Sequence, residues 1–223
     1  MELVVALDLP SKDENIKLLE QLKGLDIWVK VGLRSFIRDG SSFCEEIKSQ
    51  YGFKIFLDLK LYDIPNTMSQ SVEEVCKLGV DMLTLHASSG KVALKECVKR
   101  ASAFEKRPLL VAVTALTSFS DDEFREIYGD SIEQKADFFA KECEEAQLDG
   151  VVCSVYESLD IKQSTNLLTI TPGIRLEKTD DDQKRPATVA DAKSSKSDFI
   201  VVGRPIYRAK DPLKVVQQIK EEV

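Results

Sequence analysis

Asp58, Lys60 and Asp63 are the residues of this chain whose types and spacing point most directly to chemistry. They lie in Phe56-Leu57-Asp58-Leu59-Lys60-Leu61-Tyr62-Asp63-Ile64-Pro65-Asn66-Thr67. An apolar run starting at Phe53 leads into them and reads as a buried strand, Phe53–Leu57. Residues two apart on a strand face the same side, so a carboxylate and an ammonium are expected to project together from the strand's C-terminal tip. Asp63 adds a second carboxylate in the following loop, and Pro65 then opens a helix. Charges at the mouth of a buried strand are costly to desolvate unless they pair or do chemistry. One reading is a structural ion pair; the other is a reaction centre.

A lysine in this setting allows two chemistries. As an imine-forming nucleophile it needs a lowered pKa, from burial or neighbouring cations. Flanking carboxylates do the reverse and favour the ammonium form. An ammonium is a proton donor and an electrostatic partner for a developing anion. That favours a carbanion reaction over an aldolase-type imine.

The elements that must hold these residues follow from the alternation of short apolar runs with amphipathic stretches. Strands are expected at Leu3–Leu7, Ile27–Val31, Phe53–Leu57, Met82–Leu85, Leu109–Val113, Gly150–Cys153, Leu168–Ile170 and Phe199–Val202. Their Val, Ile and Leu content suits a parallel sheet buried on both faces. Helical periodicity is expected over Lys12–Leu22, capped by Ser11, and over Ser69–Leu78, Lys91–Ala101, Ile132–Ala146 and Leu213–Val223. Gly24, Gly40, Gly52 and Gly79 stand where helices should stop. Eight strand-plus-helix units predict a closed (β/α)₈ TIM barrel, one catalytic domain over residues 1–223. A doubly wound open sheet is the other topology, but no G-x-G-x-x-G follows the first strand.

Barrel active sites lie at the C-terminal ends of the strands. The polar residues expected there are Asp8, Lys30, Asp58, Lys60, His86, Thr114, Thr117, Thr171 and Gly203-Arg204. Gly203-Arg204 precedes Pro205, so a glycine amide, a helix start and a guanidinium together suit a phosphate. The polar stretch Thr171–Ala192 is long for a barrel loop and reads as a lid, with Arg175 and Gln183 as its ligand contacts. Asp180, Asp181 and Asp182 read as a solvated acidic run, since no second acidic cluster is arranged to complete a metal shell. His86, the sole histidine, is expected to pack or hydrogen-bond rather than act as a base.

Composition narrows the partners. A net charge of −7, from 31 basic and 38 acidic residues, argues against a nucleic-acid partner. It still allows a small phosphorylated ligand. The five cysteines are odd in number and form no C-x-x-C pair, so neither zinc nor a disulfide framework is expected. No segment reads as a signal peptide or membrane span, and a soluble, cytoplasmic protein is expected.

The motif Asp58-x-Lys60-x-x-Asp63-Ile-Pro-Asn-Thr67 resembles that of the orotidine 5′-phosphate decarboxylases. The resemblance runs nearly the length of the chain. Its other segments are Val5-Ala6-Leu7-Asp8, Val29-Lys30-Val31-Gly32, Leu83-Thr84-Leu85-His86-Ala87, Leu116-Thr117-Ser118, Asp149–Ser154, Thr171-Pro172-Gly173-Ile174-Arg175, Asp182-Gln183 and Val202-Gly203-Arg204, in the family's order. It implies a cofactor-free and metal-free decarboxylation, the last step of UMP synthesis, in a homodimer. Lys30, Asp58, Lys60 and Asp63 would form an alternating charge array, with Asp63 supplied by the partner subunit. Lys60 would stabilise the carbanion and protonate it. Asp8, Lys30 and Thr67 would hold the ribose and Thr117 the pyrimidine. Gln183 would bridge lid, base and phosphate, while Arg175, Gly203 and Arg204 would serve the phosphate.

Two other readings remain at this stage. A metal-dependent sugar-phosphate decarboxylase or hexulose-phosphate synthase would use the same barrel, but its motif lacks the Ile-Pro-Asn-Thr tail. A non-catalytic nucleotide-binding barrel would not need Lys30, Asp58, Lys60 and Asp63 together.

Overall fold

A computed structural model describes residues 1–176 and 185–223. Eight parallel strands close into a barrel: β1 (Glu2–Ala6), β2 (Trp28–Gly32), β3 (Lys54–Leu61), β4 (Met82–His86), β5 (Leu109–Val113), β6 (Gly150–Val152), β7 (Leu168–Thr171) and β8 (Phe199–Val202). Closure is made by β1 against β8, with Leu3 opposite Ile200 and Val5 opposite Val202. This is the TIM-barrel architecture expected, and it excludes the open doubly wound sheet.

The strands are apolar on both faces because each face meets a different core. Val4, Ala6, Trp28, Phe56, Met82, Val111, Val113, Val152, Ile170, Phe199 and Val201 fill the barrel interior. Their neighbours, such as Leu3, Val5, Val29, Val31, Ile55 and Leu57, pack outward against the helices. The period-two alternation therefore divides two hydrophobic layers rather than core from water.

Helices Lys12–Leu22, Pro65–Leu78, Lys91–Ala101, Ile132–Glu145 and Pro212–Glu222 match the expected stretches, with Pro65 opening its helix. Ser11 and Glu14 form a reciprocal capping box, and Gly40, Gly52 and Gly79 stand at helix ends with positive φ. The helix start expected at Pro205 is present as Arg204–Tyr207, whereas helices Leu33–Asp39, Ser41–Glu46, Asp121–Tyr128, Val155–Ser164 and Val189–Ser194 lie outside the stretches that periodicity predicts. Most are short. Val155–Ser164 buries Glu157 and Ser158 on its inner face, which masks its amphipathic pattern. Its capping box, Ser154-x-x-Glu157, is a local signal that period counting passes over.

The stretch expected to be a loop from Thr171 to Ala192 is structured at both ends. Ile174–Arg175 pairs in parallel with Ala187–Thr188, and Thr188 caps helix Val189–Ser194. Gln183 and the acidic run Asp180–Asp182 lie outside the described residues.

Candidate active site

Strand β3 does more than deliver Asp58 and Lys60 to its tip. It runs on to Leu61, past the expected end at Leu57, so both residues lie within the strand. Between Leu57 and Leu61 its register against β4 shifts: Leu57 faces Leu83, whereas Leu61 faces Leu85. Lys60 takes up the extra length with φ of 52°, in the left-handed region that non-glycine residues enter at a cost of about 1–2 kcal/mol. The two charges do come together, but through a bulged and strained backbone rather than a regular pleat.

The Lys60 Nζ lies 2.7 Å from Asp58 Oδ1. On the other side, Lys30 Nζ lies 3.6 Å from Asp58 Oδ2 and 3.2 Å from Asp8 Oδ1. Asp8, Lys30, Asp58 and Lys60 therefore form a chain of alternating sign across β1, β2 and β3. Burial raises the cost of a charged Asp58, but Lys30 and Lys60, with hydrogen bonds from Lys60 and Thr84, outweigh it and hold its carboxyl below the usual range. Burial likewise opposes charge on Lys30, and Asp58 and Asp8 overcome it, lifting its pKa above the ordinary lysine value. Asp58 and Lys30 thus each keep their charge despite burial because their partners stand beside them.

Thr84, fully buried on β4, was not singled out by sequence reasoning. Its hydroxyl donates to Asp58 Oδ1 at 2.9 Å and accepts from the Lys60 backbone N–H at 3.0 Å. A signal for it existed: it is a polar residue within the apolar run Met82–Leu85, two positions from Met82 and so on the same face.

Lys30, Asp58, Lys60 and Thr117 line one cavity of about 140 Å³. Its other walls are apolar, including Phe56, Val113, Leu116, Val152 and Val201. One charged wall facing an apolar one suits a flat ring that carries an anionic substituent on its edge. Thr114 and Thr171, expected at the strand ends, serve the framework instead. Thr114 donates to the Val152 carbonyl at 3.3 Å, and Thr171 is fully buried against Ser197 and the Phe199 carbonyl.

The remaining expected residues are more dispersed. Arg175 is buried, and its Nη1 donates to the Ile174 carbonyl. Gly203 follows β8, and Arg204, half-buried, opens the short helix containing Pro205. A Cβ on Gly203 would lie 3.3 Å from the Tyr207 ring and 3.4 Å from Ala6 Cβ, so bulk is disfavoured there. Asp63 and Thr67 are exposed and do not line the charged cavity. The Asp63 carboxylate accepts from the Ile64 N–H at 2.7 Å, and among the described residues it joins no ion pair. His86 Nδ1 accepts from the Ser88 N–H at 3.2 Å, and the imidazole stacks on Tyr62 with centroids 5.2 Å apart. All five cysteines are buried and unpaired by disulfides. Among the described residues no helix is long and apolar enough to cross a membrane.

A parallel (β/α)₈ barrel with paired lysines and aspartates at its C-terminal mouth defines the class. Comparison with known proteins gives the family. Residues 1–219 match the model of the Orotidine 5'-phosphate decarboxylase / HUMPS family, and the chain belongs to that family. It is 57% identical to the orotidine 5'-phosphate decarboxylase of Sulfurimonas denitrificans, over the full length of both chains. Identity to the Campylobacter concisus protein of the same name is 53%, again over both full lengths. The crystal structure of orotidine 5'-phosphate decarboxylase from Lactobacillus acidophilus superposes with a TM-score of 0.86 at 35% identity, covering 99% of this chain and 98% of that one. An uncharacterized conserved protein from Geobacillus kaustophilus matches with a TM-score of 0.87 at 32% identity, covering 99% of both chains.

Proposed function

We propose that this protein converts orotidine 5′-phosphate to uridine 5′-phosphate and carbon dioxide, the last step of UMP synthesis, without metal or organic cofactor. The catalytic unit is a single domain, residues 1–223, working in the cytoplasm. The observation that carries this reading is the Lys30–Asp58–Lys60 array on one wall of an otherwise apolar cavity. Relatives more than half identical over their full length, all named for this reaction, support the choice of substrate.

In the reaction the bond between the pyrimidine ring and its carboxylate breaks. The electron pair stays on the ring carbon and carbon dioxide leaves. The Lys60 ammonium stabilises the carbon as it becomes negative, then transfers a proton to it, and solvent returns that proton to the amine. Asp58 faces the departing carboxylate. Two ammonium groups already neutralise much of its charge, at 2.7 Å and 3.6 Å. Stabilisation by Lys60 therefore carries more of the rate than repulsion by Asp58.

Asp8, Lys30 and Thr67 hold the ribose, Thr117 contacts the pyrimidine, and Arg175, Gly203 and Arg204 take the phosphate. The phosphate lies far from the breaking bond. Its binding energy can be used to organise the charge array, so it acts on catalysis as well as affinity.

The site is completed by a second copy of the chain, whose Asp63 enters the array. Asp63 is flanked by Tyr62 and Ile64, which are 62% and 65% exposed. The neighbouring helices Leu33–Asp39 and Lys91–Ala101 add the exposed apolar residues Ile37 and Val92. Apolar surface gathered on three consecutive βα units around the loop of Asp63 suits an isologous dimer contact.

The test is to add orotidine 5′-phosphate to purified protein in the presence of chelator and follow its ultraviolet absorbance. Conversion at full rate is expected. Activity lost in chelator and restored by magnesium would instead support the sugar-phosphate chemistry of the wider family.

A further inference from the structure

We infer that Thr84 is a positioning residue for the reaction, holding Lys60 and Asp58 in their reactive geometry through a closed ring of hydrogen bonds. The inference rests on the proposed role of Lys60. The Lys60 backbone N–H donates to the Thr84 hydroxyl at 3.0 Å, that hydroxyl donates to Asp58 Oδ1 at 2.9 Å, and the Lys60 ammonium closes the ring by donating to the same Asp58 Oδ1 at 2.7 Å. One buried hydroxyl thus fixes both the backbone and the ionic partner of the same lysine.

The backbone explains why a fixing group is needed. Lys60 is left-handed at φ 52° in a strand whose register slips between Leu57 and Leu61. Such a conformation persists only where its surroundings over-determine it. Its N–H needs an acceptor, because a buried amide without one is strongly unfavourable. Thr84 supplies that acceptor from the neighbouring strand, and it is fully buried, so water does not compete. The single hydroxyl proton then goes to Asp58, which leaves the Asp58 carboxylate aligned toward Lys60. Without this hydroxyl, the Lys60 ammonium and the Asp58 carboxylate would both remain, but their relative placement would relax.

The experiment compares Thr84→Val, which keeps shape and removes both hydrogen bonds, with Thr84→Ser, which keeps the hydroxyl. Lys60→Ala is measured alongside. Thr84→Val is expected to lower kcat by about 10- to 100-fold, the scale of a small misplacement of reacting groups. Its affinity for uridine 5′-phosphate should stay within about twofold, because ribose and phosphate contacts are intact. Thr84→Ser should return most of the lost kcat. If Lys60→Ala abolishes turnover while Thr84→Val keeps wild-type kcat, the Thr84 inference is overturned and the role of Lys60 stands. If Lys60→Ala remains active, the reading of Lys60 fails first, and the inference with it. A parallel fall in kcat, nucleotide affinity and melting temperature for Thr84→Val would make the residue merely structural. Should Thr84→Val not fold, Thr84→Ala decides by the same criteria, and loss of the fold in both would also overturn the inference.

Discussion

Gly32 and Lys30 share the inward face of β2 so closely that a Cβ on Gly32 would lie 2.9 Å from the Lys30 Nζ and 3.3 Å from Asp8 Oδ1. The φ of Gly32 is −89°, which any residue can adopt, so the requirement for glycine there is steric. The atom displaced by a larger residue would be the far end of a flexible lysine. Gly32→Ala is therefore expected to leave the fold intact and to move Lys30 away from Asp8 and Asp58. We predict a fall in kcat/KM of about 10- to 100-fold with little change in melting temperature. Steady-state kinetics beside calorimetry checks this, and unchanged kinetics in the folded variant would refute it.

Arg204→Ala should lower kcat/KM for orotidine 5′-phosphate by about 10- to 100-fold, the worth of one charge-assisted hydrogen bond to phosphate. The same variant should process orotidine, which lacks phosphate, as well as the wild type does. Comparing the two substrates isolates the phosphate. Equal losses with both would show that Arg204 acts elsewhere.

A shared site can be counted. Lys60→Ala and Asp63→Asn homodimers should each be nearly inactive. Unfolded and refolded together in equal amounts, half of the dimers become mixed, and each mixed dimer holds one site with native Lys60 and native Asp63. About a quarter of wild-type activity should return, as two-fold symmetry requires. A mixture no more active than its parents, with subunit exchange demonstrated by mass, would mean that Asp63 serves its own chain.

His86 offers a direct electrostatic probe, because it is the only histidine and gives one set of imidazole resonances. Burial, and then the charge on Lys60, hold its pKa below the ordinary 6.5. A group whose folded pKa lies below its unfolded value contributes stability above that unfolded value and loses it as pH falls through the folded pKa. His86 should therefore titrate by NMR with a midpoint under 6.5 and add to acid destabilisation below that pH. Lys60→Ala should move the midpoint upward. A midpoint at or above 6.5 in the wild type would contradict the arrangement.

How far the sequence reached is clearest at β3 and β4. The sequence alone determined the eight strands, because a strand buried on both faces reads as a continuous apolar run whatever each layer touches. It also marked Asp8, Lys30, Asp58 and Lys60 as groups for the barrel mouth, because charge at the end of a buried strand is expensive wherever that strand packs. Three things depended on tertiary structure. The pairing of Leu61 with Leu85 twists Lys60 into a left-handed backbone, and register between strands is set by both partners rather than by either alone. Thr84 became a partner of Asp58 only when β4 was laid beside β3. Finally, Thr114 and Thr171 turned out to be framework residues, since whether a hydroxyl at a strand end faces the cavity or a neighbouring carbonyl follows from how the barrel closes.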